Sequence, residues 1–570
     1  MNDWRAFLPT SIWRNPIFVM NVRRQLRRKQ MIGHGLVMFL ITLFVYLIIY
    51  LTTTERGMYD HQGAARLAFL WILLIQGFVL MFGGTGDVAA GIATDREKGL
   101  IDYQRMTPMS PASKIAGYLF GLPVREYYRF AITLPFMLFS VIMGQFSLLG
   151  VIQLYAAFIS SVLLYHMTGM VAGMLAKNPR KASRLARTLV IALYLVLPRF
   201  ADLGITFFEF LRPYAVLSGV LGDELDIGSL SDDADRWRQV GFFNLQLSPT
   251  LFTLLVQGTL LYTLYTTVRR KWRHETSHAL PKIYALVLFG AVALMVLGNL
   301  WTLMASRDGL GVFDNFGDPG DPDTRVVAYV VLFCVQATLM LALAFFLICV
   351  VTPDRHHFIK GIRRARKRGL ERIPRTDDAA SGLWVAGALM AITSLGYLIL
   401  MATALPQDSF VRGFGPAHYL VPPLAGCATI GFLQVLREYA TTRRFWLGIG
   451  ALWIVPTLIG IVLLSAWSAV LPALYVCVSN PVALFTYCFL WVFLGVMDIA
   501  EDGVANGHFL AMTVLGTLVH AAIAGVLWRQ LRKRQAADRD ASNRDASNRD
   551  VSKASSESET TPPASPPADR

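Results

Sequence analysis

Charge is scarce in this sequence. Asp, Glu, Lys and Arg make up 16% of its 570 residues, against 54% hydrophobic residues. A soluble domain of that size needs more charge to cover its surface, so the soluble globular class is excluded. Cysteine is nearly absent, with Cys334, Cys349, Cys427, Cys477 and Cys488 the only five. No two form a CxxC pair and most lie inside apolar runs, which suits small packing residues and not a disulfide frame or zinc site. The phosphate loop GxxxxGK(S/T) is missing. "GGTGDVAAG", Gly83 to Gly91, has the glycines but no lysine, and reads as small residues that let helices approach closely. The chain is therefore not expected to hydrolyse ATP itself. A cleavable signal peptide is not expected either, because the residues before Ile32 are too polar and the first apolar run is long enough to span.

Ionisable residues are few inside the apolar runs. Asp87, His166, Arg199 and His520 lie there, with Asp498, Glu501 and Asp502 before the last run. Charge in a bilayer is costly, so Asp87 and His166 are candidate intramembrane functional residues. Arg199 and the 498–502 group fall near an interface, where snorkelling lowers the cost. No series of acids steps through the membrane, as a proton pump or ion-coupled transporter would show. None of these residues is read as catalytic, cofactor-binding or metal-ligating.

What the chain has in abundance is apolar runs of roughly 20 residues, the length that crosses a hydrocarbon core of about 30 Å. Such runs are continuous, not alternating, which excludes a membrane β-barrel. The expected fold is all-α and polytopic, with about twelve spans. They lie near 33–54, 67–93, 128–147, 150–175, 188–208, 248–268, 282–304, 326–351, 382–404, 418–436, 446–468 and 506–528. The apolar run 481–496 is left over as a re-entrant or interfacial piece, or an extra span.

The formal net charge is +15. Basic residues cluster in short connections at Lys177–Arg187, Arg269–Arg273, Arg355–Arg375, Arg437–Arg444 and Arg529–Arg534, whereas 222–235 and 314–325 are acidic. This alternation is the positive-inside pattern, so nucleic acid is not an expected partner and both termini are expected in the cytoplasm. Residues 1–32 hold an amphipathic segment, "NPIFVMNVRRQLRRKQ", suited to an interfacial helix beside anionic lipid or to a topogenic flank. The tail from 535 carries the polar repeat "RDASNRDASNRDVS" and is expected to be disordered and cytoplasmic. Residues 33–275 and 276–534 are read as two six-helix halves, because "QGTLLYTLYTTVRRKWR" at 257–273 parallels "LGTLVHAAIAGVLWRQLRKR" at 515–534.

The connection at 94–117, "TDREKGLIDYQRMTPMSPASKIAG", is too long and too structured for a simple turn. Leu100, Tyr103 and Met106 recur at i, i+3 and i+6 as an apolar stripe, with Arg96, Glu97, Lys98, Asp102 and Arg105 as a charged rim. Pro108 stops that helix, and Ser110-Pro111 starts the next. Such a stripe suits a partner's groove; a helix lying on lipid headgroups is the other reading.

"REKGLIDYQRMTPMSPASKIAGYLFG" resembles the connection after the second helix in ABC-2 type transporter permeases. The matching residues are Glu97, Gly99, Asp102, Thr107, Pro108, Ser110, Ile115 and Gly117. Met109 is a mild change from the usual Leu, while Leu100 stands where Thr is usual and Tyr118 where Lys is usual. "NPIFVMNVRRQLR" is similar to the interfacial start of some of these permeases, with Asn21 where Glu is common. The resemblance covers about the first 270 residues. It implies a coupling elbow at 94–117, docking through Glu97, Gly99, Leu100, Asp102, Tyr103, Met106, Thr107, Pro108 and Ser110 on a separate ATP-binding cassette ATPase subunit. It also implies an exporter in the inner or plasma membrane, complete in one chain or paired with a second permease chain. Two alternatives stay open: a polytopic membrane enzyme such as a glycosyl or acyl transferase, and a non-transporting permease-like subunit of a signalling or assembly complex.

Overall fold

The computed structural model describes residues 5, 7–55, 60–176, 178–202, 206–225, 230, 234–274, 277–305, 322–403, 416–467, 470–477, 480 and 502–559. The 481–496 run and most of the acidic connection 314–325 lie outside them. Among the described residues, eight helices are long and apolar enough to cross a membrane. The number is nine if Gln336–Val351 and Arg355–Lys367, bent by 54° at a short break, form one span. The protein is an all-α, multi-pass membrane protein, with one small hairpin pairing Val240–Phe242 antiparallel to Leu245–Leu247.

Each of the twelve expected runs falls on a helix, but four miss that measure of length and apolarity. Val124–Met143 carries Arg125, Glu126 and Arg129 at its start, and Pro179–Asp202 carries Arg180, Lys181, Arg184 and Arg187. Both helices begin before the apolar stretch does, because the backbone hydrogen-bond ladder propagates through charged residues once nucleated.

The chain divides into two compact units. The first comprises Met1–Leu280, Gly290–Gln336 and Ile399–Val411. It opens with short helices α1 (Pro9–Trp13) and α2 (Pro16–Gln25) before the long α3 (Arg28–Glu55). Asn15 caps α2 by accepting from the amides of Ile17 and Phe18, as its place before Pro16 predicts. Two helices, α4 (His61–Gly77) and α5 (Thr85–Glu97), join through a π-helical segment, Phe78–Gly84, into one run. Next come α6 (Leu100–Met106), α7 (Pro111–Gly121), α8 (Val124–Met143), α9 (Leu148–Leu175) and α10 (Pro179–Asp202). The helix Pro249–Arg273 closes the series and packs on α9. The small residues of the "GGTGDVAAG" stretch meet α9 closely: a Cβ on Gly169 would lie 2.6 Å from the Thr85 carbonyl oxygen, and one on Gly173 would lie 2.7 Å from that of Ala89. On α3, side chains such as Phe39, Leu40, Phe44 and Leu47 are exposed, an apolar exterior that a bilayer covers.

The second unit comprises Pro281–Phe289, Ala337–Leu398 and Arg412–Arg570. Its helix Asp502–Glu559 runs on through residues 535–559, where a disordered tail is expected, and 560–570 lie outside the described residues. Asp538 is 8% exposed and Ser542 is 5% exposed. Arg355 binds both carboxylate oxygens of Asp538, at 3.0 and 2.5 Å, and Arg366 donates to the Ser542 carbonyl at 2.8 Å. The pentad also sets Asp540 four residues before Arg544, a helix-favouring spacing that its low-complexity composition conceals.

Candidate functional site

The connection after α5 forms a two-helix elbow. Gly99 has φ +71°, a left-handed conformation that an L side chain resists, and it turns the chain from α5 into α6. Along α6, Ile101 is 4% exposed and packs inward with Ile115, Tyr118 and Trp272. Leu100, Tyr103 and Met106 are 39%, 65% and 78% exposed. The apolar stripe read from the sequence thus faces away from the core. Glu97, Lys98, Asp102, Pro108 and Ser110 are exposed beside it, and Thr107 is half-buried.

The elbow is held from several directions. Thr107 donates its hydroxyl to the Gln104 carbonyl at 2.7 Å, closing α6, and Ser110 caps α7 by accepting from the Ser113 amide at 3.2 Å. Lys114 is 3% exposed, and its amine donates to the carbonyls of Gln104 at 2.5 Å and Thr107 at 3.2 Å. These are carbonyls at the C-terminal end of α6, where a cation is favoured. Burial pushes the Lys114 amine below its ordinary pKa. Arg105 pairs with Asp102 and also donates to the carbonyls of Trp272 and Lys271, both at 3.2 Å, at the end of Pro249–Arg273. It is a tether, not the free rim residue its spacing suggested. Asn15 donates to the Ser113 carbonyl at 2.6 Å and Gln25 to that of Leu122 at 2.7 Å, so the N-terminal amphipathic helix is fastened to α7.

Beneath the elbow lies a buried network that the sequence reading missed. Asp95 is fully buried, and its Oδ2 accepts from the Tyr118 hydroxyl at 2.8 Å. That hydroxyl accepts from Gln104 Nε2 at 2.8 Å, and Arg24 lies 3.6 Å from Asp95 Oδ1. Burial and the Asp95 charge push the Tyr118 hydroxyl well above its ordinary pKa. Tyr118 supplies the donor that Asp95 needs.

The two intramembrane candidates fall into separate arrangements. Asp87 pairs with Arg125 at 2.8 Å and lies 3.8 Å from Arg187. Arg125 also reaches Glu126 at 3.2 Å, and Glu126, 2% exposed, takes Arg129 at 2.7 Å. Two carboxylates among three guanidiniums form a compensated clamp between α5, α8 and α10, not a path for ions. His166 is fully buried between Tyr127, whose hydroxyl is 3.1 Å from Nδ1, and the Leu80 carbonyl, 2.9 Å from Nε2. Leu80 lies in the π-helical segment, where the altered ladder brings that carbonyl within reach of α9. No hydrogen bond or ion pair joins Asp87 to His166 among the described residues.

His520 holds a neutral pairing, donating from Nδ1 to the Gly516 carbonyl at 2.9 Å and accepting from Trp453 at 3.2 Å. The side chains of Arg199, Asp498, Glu501 and Asp502 lie outside the described residues. In the 222–235 connection, Asp223 and Asp235 share Arg238 at 2.7 and 3.1 Å in an exposed setting.

No protein-family model matches the chain, and no curated protein or solved structure matches it. The class that fold and site define is a multi-pass helical membrane protein with a braced elbow that presents an exposed apolar stripe.

Proposed function

We propose that the chain is the membrane-spanning permease subunit of an ATP-binding cassette exporter, with energy supplied by a separate ATP-binding subunit that docks on α6. Twelve spans with both termini in the cytoplasm, in the inner or plasma membrane, belong to this reading. The observation that carries it is the pairing of an exposed Leu100–Tyr103–Met106 stripe with an elbow tied to α2, α5 and the end of Pro249–Arg273. A stripe on a floppy loop would absorb a partner's movement; a stripe on a braced lever transmits it. Nucleotide-driven closure of the partner would shift the spans between inward and outward states by its differential affinity for the two. The fully buried Asp95–Tyr118 pair suits this role, since it links the lever to the helix α5 that continues into the membrane.

Co-expression with the ATP-binding cassette subunit encoded nearest to the gene tests the reading. The two chains are expected to co-purify, with ATP turnover only in the complex and stimulated by transport substrate. Nucleotide hydrolysis by the rigorously pure chain, or a partner that binds equally well when the stripe is charged, would overturn it.

A further inference from the structure

The second unit holds a cavity for which the transport reading gives no role. The helix Arg355–Lys367 ends in a tight turn: Gly369, at φ +71°, donates to the Arg366 carbonyl at 2.8 Å, and Leu370 donates to that of Ala365 at 3.0 Å. This double bond pattern satisfies the last carbonyls of the helix and reverses the chain. The chain then runs back to Leu383–Thr403, held by two anchors. Trp384 Nε1 donates to the Arg375 carbonyl at 3.0 Å, and the Lys282 amine donates to the carbonyls of Asp377 at 2.8 Å and Ala380 at 2.5 Å. The fold-back lines a half-open cavity of 860 Å³, within the range of roughly 300–1,000 Å³ typical of small-ligand sites.

Its lining divides by chemistry. Arg366, Arg372, Arg375 and Arg539 supply four guanidiniums against one carboxylate, Glu371. Phe358, Ile362, Ile373 and Leu383 supply apolar surface. Arg366 is engaged at the Ser542 carbonyl, whereas Arg372, Arg375 and Arg539 are exposed and make no side-chain hydrogen bond or ion pair among the described residues. The half-buried carboxylate of Glu438 accepts from Ser381 at 3.0 Å and Gln535 at 2.9 Å and is absent from the lining. Cations that line one cavity raise its potential and favour an anion there. Guanidinium forks match the oxygens of a phosphate better than any other biological anion except a carboxylate, and several forks suit the greater charge of phosphate.

We propose that this cavity binds the phosphate ester of an anionic amphiphile, with its phosphate among Arg372, Arg375 and Arg539 and its carbon chain against Ile362, Ile373 and Leu383. The position supports an amphiphile. The cavity lies at the start of the apolar helix Leu383–Ile399 and along the basic end of Ala511–Ser542, where a span meets the membrane surface. Basic pockets at such helix ends suit phosphate-bearing headgroups. The site stands independently of the transport reading.

The test uses the full chain purified in detergent, with native mass spectrometry reading bound lipid. The probes are dioctanoyl phosphatidylglycerol, dioctanoyl phosphatidylcholine and glycerol 3-phosphate. Saturable binding of the phosphatidylglycerol is expected, at least about tenfold tighter than of the phosphatidylcholine. Combined Arg372→Gln, Arg375→Gln and Arg539→Gln should weaken it about tenfold or more, as expected for charge-assisted contacts. These side chains are exposed, so the variant should keep its elution profile. Arg364→Gln with Lys367→Gln removes charge from the same helix outside the lining and should change nothing. Displacement by glycerol 3-phosphate at the lipid's own concentrations would assign the site to a free phosphate ester; its failure to compete would assign it to the lipid. Equal binding of the two lipids, or wild-type binding by the triple variant, would overturn the proposal.

Discussion

The hydroxyl of Tyr118 donates to Asp95 at 2.8 Å, joining α7 to the last turn of α5 across a fully buried carboxylate. In the proposed exporter, this contact would carry a push on the elbow to the helix α5. Tyr118→Phe keeps the ring but removes the donor and leaves Gln104 without its acceptor. The expected cost is about 1–3 kcal/mol, read as a lower melting temperature of the purified chain. An unchanged melting temperature would show that Arg24, 3.6 Å away, is enough for Asp95.

The stripe should carry the docking energy. Leu100→Asp places a charge where apolar contact is expected and should cost roughly 1–3 kcal/mol of partner binding, about 5- to 150-fold in affinity. Because Leu100 is 39% exposed, membrane abundance should not fall. Lys98→Ala on the rim should do much less. Pro108→Ala should keep binding but let ATP be hydrolysed with less transport. Normal co-purification and transport by Leu100→Asp would remove α6 from the coupling role.

Lys114 gives the elbow a pH dependence. Burial lowers its pKa in the folded chain, so between that lowered value and the unfolded value of 10.5 the unfolded state binds more protons. Its contribution to stability is therefore complete above 10.5 and is lost as pH falls toward the lowered value. The melting temperature of the wild type relative to Lys114→Met should rise as the pH climbs toward 10.5. A flat difference would mean that the carbonyls of Gln104 and Thr107 offset the desolvation of the amine.

The tail helix is anchored at Asp538 and Ser542. Arg355 grips Asp538 with two hydrogen bonds. Asp538→Ala should speed tryptic cleavage after Arg539 and Arg544, with the rest of the chain intact. Removing residues 546–570 should leave that protection unchanged, since the anchors Asp538 and Ser542 remain.

The topology is open to reporter fusions. Fusions after Arg364 and Gln535 should report cytoplasm, and fusions after Asp226 and Asp321 the opposite side. An external reporter at Gln535 would overturn the topology and give the 481–496 run the standing of a further span.

Composition and periodicity alone determined that this is a helical membrane protein, where its apolar runs lie, and that Leu100, Tyr103 and Met106 share a helical face. These follow from local rules: the thickness of a bilayer sets run length, helical pitch sets which residues share a face, and Ser110-Pro111 starts a helix wherever it occurs. Only the tertiary structure decided which way that face points, because a stripe of given spacing packs inward or outward according to its neighbours. It also made Arg105 a tether to Trp272, placed Asp87 among Arg125 and Arg187, and brought Arg372, Arg375 and Arg539 to one cavity. Arg105 and Trp272, Asp87 and Arg125, and Arg375 and Arg539 lie dozens to more than 160 positions apart, and no local pattern encodes their meeting. The tail shows the same division. Its polar repeat cannot build a core, yet Asp538 finds Arg355 across the fold, and a segment that composition marks as disordered is held as a helix.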